Sequence, residues 1–175
     1  MDNETLRAIR ERRSCRQYKP QQITPDELRT VLEAGTWAAT GKGLQDPWIV
    51  AVQDPTEVAK LVTMNAAIMG TSDNPYYGAP TIVLVFASRP EQWKNGMADG
   101  SLVLGNMMLA AHSIGLASCW INREREMFDT PEGRELLQHY GLPDNLMGVG
   151  ALALGYPAVP PREPKPRKKD YWRVI

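Results

Sequence analysis

Thr81-Ile82-Val83-Leu84-Val85-Phe86-Ala87 is an unbroken run of apolar and β-branched residues with Pro80 before it and Pro90 shortly after. Such density between proline boundaries predicts a central strand buried on both faces. Working upstream, Trp48-Ile49-Val50-Ala51-Val52 is a second short buried strand, closed by Asp54-Pro55, which opens a helix through Val58, Leu61 and Val62. Downstream, the alanine-rich stretch from about Met97 to Ile114 is apolar on much of its circumference and ends at Gly115, the pattern of a core helix touched on several sides.

The outer parts complete the outline. Asn3 caps a first helix carrying Leu6 and Ile9, and Thr24-Pro25-Asp26-Glu27 has the cap, N1 proline and N3 glutamate of a second that runs to about Gly35. Further strands are expected at Ala117 to Ile121 and Gly148 to Leu154, with a short helix opened by Thr130-Pro131-Glu132 and closed by Gly141. Four convincing strands in irregular alternation with helices predict an α+β fold with a mixed sheet, not a doubly wound parallel one. The domain spans residues 1–175 without internal repeat. From residue 156 onward, Pro157, Pro160, Pro161, Pro164 and Pro166 impose an extended tail. Its last residues, Tyr171-Trp172-Arg173-Val174-Ile175, are apolar enough to dock on another surface, and a partner subunit is the expected one.

Composition narrows the function classes. Twenty basic and twenty acidic residues leave no overall field directed at nucleic acid or an anionic membrane, so an anion has to be bound locally. The start of the chain has no apolar signal core and no apolar run reaches the ~18 residues of a membrane helix, which predicts a cytoplasmic protein. Cys15 and Cys119 read as free thiols, and without a Cys-x-x-Cys pair or closely spaced histidines no metal site is expected.

Arg12-Arg13-Ser14-Cys15-Arg16 supplies guanidinium forks and a hydroxyl suited to phosphate oxygens. The same cations would also suit the negative end of a helix dipole, and the cluster alone leaves both readings open. Lys165 and Arg167 interrupt the proline-rich tail, where an extended chain held by a phosphate and a solvated basic tail are again both open. The loop from Trp37 to Trp48, with Thr40, Gly41, Gly43 and Gln45, offers close backbone approach beside aromatic surface. Gly148-Val149-Gly150 imitates a dinucleotide fingerprint, but Gly155-Tyr156-Pro157 prevents the helix that motif needs, and no P-loop sequence is present.

In order, Arg12-Arg13-Ser14-Cys15-Arg16-Gln17-Tyr18, Ala34 to Trp48, Tyr77-Gly78-Ala79-Pro80, Gly115-Leu116-Ala117-Ser118-Cys119-Trp120-Ile121 and Leu154-Gly155-Tyr156-Pro157 resemble the FMN-dependent nitroreductase family over nearly the whole chain. The resemblance implies an α+β homodimer with a mixed, mostly antiparallel sheet flanked by helices and FMN bound at the interface. It implies that Arg12, Arg13, Ser14 and Arg16, with Lys165 and Arg167, hold the phosphate, and that Trp120, Ile121 and Asn122 bring backbone groups to the isoalloxazine ring. Asn65 is a weaker match to an asparagine at the pyrimidine edge, and Thr40 and Gly41 are implied to line the ring from the same subunit or its partner. Two departures are Gly43, where the family commonly has asparagine, and Asp46, which is expected to repel anionic substrates.

The implied activity is ping-pong redox chemistry, in which NADH or NADPH reduces the flavin and a nitroaromatic, quinone or related acceptor reoxidises it. Because the cofactor carries the chemistry, no catalytic side chain is expected. A specialised flavin-dependent dehydrogenase or dehalogenase of the same fold, and a non-catalytic FMN-binding protein, are the alternatives. A basic-tail interaction protein using Lys165, Arg167, Lys168 and Lys169 is a further class, and it predicts colourless protein.

Overall fold

The computed structural model describes residues 1–175, and its centre is the strand expected first. Four strands form one antiparallel sheet in the order β1-β2-β4-β3, where β1 is Trp48–Val52, β2 Thr81–Ser88, β3 Ala117–Ile121 and β4 Leu146–Gly155. Through Ala87, β2 is buried at every position, flanked by β1 (Trp48 opposite Phe86) and β4 (Thr81 opposite Leu154).

Alternation along β2 sends its side chains to opposite faces. Ile82, Leu84 and Phe86 join one core with Leu61, Phe128 and Leu137, whereas Val83, Val85 and Ala87 join another with Val31, Leu104 and Met107. The first core lies under α3 (Pro55–Met69), α5 (Glu124–Asp129) and α6 (Pro131–His139), with Phe86 and Phe128 meeting edge to face at 4.7 Å. The second lies under α2 (Pro25–Thr36) and α4 (Gly96–Ser113). The sheet is thus covered on both faces.

The helix starts follow the local chemistry read from the sequence. Asn3 Oδ1 accepts from the Leu6 N–H at the head of α1 (Glu4–Glu11), and Thr24 and Glu27 form a reciprocal capping box at α2. Asp54 and Thr130 cap the two helices that begin at Pro55 and Pro131. Two elements go beyond the sequence reading: α5, and β4, which starts two residues earlier than expected and carries a bulge at Val149.

The residues after α1 are strapped to the sheet's outer side. Cys15 N–H donates to the Ser118 carbonyl on edge strand β3 (3.0 Å), and the Lys19 N–H donates to the Tyr156 carbonyl just beyond β4 (2.9 Å). The Ala158 N–H returns a bond to the Gln17 carbonyl (3.0 Å), so the start of the tail lies beside the early basic cluster. Beyond that point the tail has no regular structure and is exposed. No helix is long and apolar enough to cross a membrane.

Candidate functional site

The strapping brings the two ends of the chain together. Arg13, Ser14 and Arg16 line a cavity of about 420 Å³ whose opposite wall is the tail, with Arg162, Lys165 and Arg167. The same three early residues also line an adjoining cavity of about 680 Å³, where Tyr77, Leu116 and Ala117 supply apolar surface. One compartment is therefore rich in cations and its neighbour is broader and more apolar, the arrangement a molecule with an anionic tail and a flat aromatic body requires.

The four early residues are not equivalent. Arg13 Nη1 donates to the carbonyls of Arg10 (2.7 Å) and Arg12 (2.6 Å), so this guanidinium both caps the end of α1 and faces the cation-rich cavity. Arg12 lines neither cavity: it is half-buried, and its Nη1 is buried with no hydrogen-bond partner. Burial, and then repulsion from Arg13, hold its pKa below the usual guanidinium range. A desolvated, unpaired donor next to a second cation calls for an anion, which a phosphate oxygen would supply. Arg16 sits over the Tyr77 ring at 5.7 Å from the centroid. On the tail, Arg167 Nη2 donates to the Lys165 carbonyl (2.9 Å), which keeps the two late cations on one turn of chain.

The remaining residues expected at the site lie elsewhere on this chain. Ile121 is buried in the core, and its backbone pairs with Ala151 of β4. Because β3 is an edge strand whose Ser118 carbonyl points outward, strand alternation turns the backbone of Trp120 to the same open edge. The Trp120 side chain packs on the opposite core, close against Gly150. Asn65 is fully buried: its Nδ2 donates to the Asn122 carbonyl (3.0 Å) and Glu124 Oε1 (3.2 Å), and its Oδ1 accepts from Arg123 Nε (2.9 Å). Thr40 and Gly41 belong to neither cavity. Gly41 N–H donates to Asp99 Oδ1 (2.9 Å), Trp93 Nε1 donates to Asp99 Oδ2 (2.7 Å), and a Cβ at Gly41 would lie 2.5 Å from the Trp93 ring. Asp46 is turned inward as well, accepting from the Ser88 N–H and hydroxyl, so its carboxylate anchors the loop instead of facing a substrate as expected.

Arg123 and Glu124 escaped the sequence reading, and Tyr77 entered it only as part of the Tyr77-Gly78-Ala79-Pro80 motif. Tyr77 and Arg123 have φ of 58° and 82°, conformations that cost a non-glycine residue energy and that often mark functional positions. Glu124 is buried to 1 % exposure beside them. No group of three His, Cys, Asp or Glu side chains is placed to hold a metal ion.

The Nitroreductase family profile matches residues 9–156. The chain belongs to the nitroreductase family. A nitroreductase with bound FMN from Bacteroides fragilis superposes with a TM-score of 0.90 at 34% identity, covering 99% of this chain and 100% of that one. The NADPH-flavin oxidoreductase of Vibrio harveyi is 30% identical over 94% of this chain and 70% of its own length. The FMN reductase (NADPH) of Bacillus subtilis is 27% identical over 89% of this chain and 67% of its own. For this nitroreductase-family chain the match begins at Ile9 and ends at Tyr156, so it takes in the early basic cluster and stops short of Lys165 and Arg167.

Proposed function

We propose that this chain is an FMN-dependent oxidoreductase that takes reducing equivalents from NADH or NADPH and passes them to small oxidised acceptors such as nitroaromatics and quinones. The observation that carries the reading is the pair of adjoining cavities, one rimmed by cations from both chain ends and a larger one that shares Arg13, Ser14 and Arg16 and adds apolar surface from Tyr77, Leu116 and Ala117, on a nitroreductase-family fold. FMN, when bound, supplies two-electron redox chemistry, so the chain has to supply groups that bind and orient it.

The chain's own residues divide the remaining work. Arg13, Ser14, Arg16, Lys165 and Arg167, which line the cation-rich cavity, hold the phosphate together with Arg12, whose buried Nη1 is unpaired although it lines neither cavity. The end of β3, where Trp120 turns its backbone to the open edge and Asn122 follows, flanks the ring. Thr40 and Gly41 sit on a loop pinned by Asp99, outside the cavities of their own subunit, and reach the ring of a second copy. A homodimer also accounts for the apolar side chains left on the surface: Ile9, Trp37, Leu44, Trp48 and Leu102 are all more than 45 % exposed. The tail's Tyr171 and Trp172 are likewise exposed and dock on that partner. The fold has no membrane helix, and we assign the protein to the cytoplasm.

The test is anaerobic addition of NADPH and then NADH to purified protein. A yellow protein whose flavin absorbance bleaches with either nucleotide, and recovers on adding a quinone or nitroaromatic, is expected. Colourless protein that takes up no FMN would sink the assignment, and flavin that neither nucleotide reduces would leave a binding protein, not an enzyme.

A further inference from the structure

Four side chains close a buried polar cluster where α3, the turn before β2 and the β3–α5 junction meet. Glu124 Oε1 accepts from Asn65 Nδ2 (3.2 Å) and from the Tyr76 hydroxyl (3.0 Å), while the same Asn65 ties down the Asn122 carbonyl and Arg123 Nε. Glu124, Asn65 and Tyr76 are each at most 1 % exposed, and Glu124 Oε2 has no partner at all. Gly148 of β4 closes the remaining side, since a Cβ there would meet the Glu124 carbonyl at 2.4 Å. The cluster borders two of the four left-handed non-glycine residues, the others being Lys42 and Gln45 in the loop before β1: Arg123 belongs to it, and Tyr77, which lines the larger cavity, directly follows Tyr76.

We propose that Glu124 is a positioning residue of the flavin site: through Asn65 it fixes the Asn122–Arg123 peptide at the end of the edge strand, and through Tyr76 it fixes the strained Tyr77 on the cavity wall. This rests on the reading that residues 120–122 flank the ring. Two left-handed non-glycine residues persist only where their surroundings over-determine them, and these three hydrogen-bonding side chains are the surroundings.

The protonation state of Glu124 makes the arrangement testable. Burial pushes its carboxyl up from the ordinary 4.5 to about 8, against smaller opposing contributions from its backbone, Tyr76 and Arg123; Glu126, two residues on, adds to the rise. α3 contributes only the neutral Asn65 and β4 only the backbone of Gly148. The closed cluster therefore favours the protonated acid. It is tightest below pH 4.5 and loosens about tenfold per pH unit as pH rises toward 8, after which the dependence levels off.

The experiment measures, from pH 5.5 to 9, amide hydrogen exchange of residues 76–78 and 121–123 divided by the intrinsic rate, together with the rate of FMN release. In the wild type both should rise about tenfold per pH unit up to about 8 and then flatten. Glu124→Gln should abolish the slope in both, and Tyr76→Phe should raise both rates while keeping the slope. A flat wild-type exchange profile, a slope retained in Glu124→Gln, or exchange in Tyr76→Phe identical to wild type would each overturn the proposal. An exchange slope without a matching slope in FMN release would remove its role at the flavin. Protein that binds no FMN would overturn the flavin reading instead, and the exchange profile would then decide the cluster by itself.

Discussion

Arg12 and Arg13 are sequence neighbours with different surroundings: one guanidinium is tied to helix carbonyls, and the other keeps a buried donor without a partner. Arg13 thus meets the helix-end reading of the cluster, while phosphate binding by Arg12 stays a proposal. Arg12→Met should consequently raise the thermal stability of flavin-free protein, because it removes a desolvated cation, while weakening FMN binding. Arg16→Ala should weaken FMN binding by about 1.5–3 kcal/mol if Arg16 makes a charged hydrogen bond to the phosphate, measured by fluorescence titration; unchanged affinity would remove Arg16 from the clamp. At this scale the cluster was legible because three arginines in five residues are unusual in composition. Glu124 and Arg123 were not, and Tyr77 was legible only as a member of a motif, because what distinguishes them is burial and backbone dihedral, and neither is written in a local pattern.

Elements were legible where local chemistry and hydrophobic period agree. β2 is apolar throughout and bounded by prolines, and it became the strand buried on both faces. Thr24, Pro25 and Glu27 announced α2, and Thr24→Ala should lower stability by about 1 kcal/mol by removing the cap, read from the urea midpoint at pH 7. α5 was missed because it is six residues long and follows Arg123 in a left-handed conformation without a side-chain cap. Its position depends on tertiary packing: Gly148→Ala would drive a Cβ into the Glu124 backbone at 2.4–2.5 Å and should destabilise the fold by about 1–3 kcal/mol. Glu124→Gln belongs to the same junction. Relative to wild type it should gain stability with rising pH, by at most about 1.4 kcal/mol per unit between pH 5 and 8. A constant difference between the two proteins across that range would contradict a protonated, buried Glu124.

For the whole molecule, the sequence order of the parts says little about which of them meet. Arg13 and Arg167 line one cavity across more than 150 residues of chain because residues 15–19 pair with both β3 and the first residues of the tail. Thr40 and Gly41 stay outside that cavity, a separation that a single sequence read in order does not reveal and that a second subunit would close. Deleting the chain from Pro157 onward should impair both flavin retention and dimerisation, checked by absorbance and light scattering on the same sample. A fully flavinated dimer after truncation would refute the tail's role. The central claim, that both chain ends hold one phosphate, is tested most directly by comparing FMN with riboflavin, which lacks only that phosphate. Wild-type protein should bind FMN at least about a hundredfold more tightly, as two charged hydrogen bonds would give, and Arg167→Ala should narrow the gap while leaving riboflavin affinity unchanged. Equal affinity for the two flavins in the wild type would contradict it.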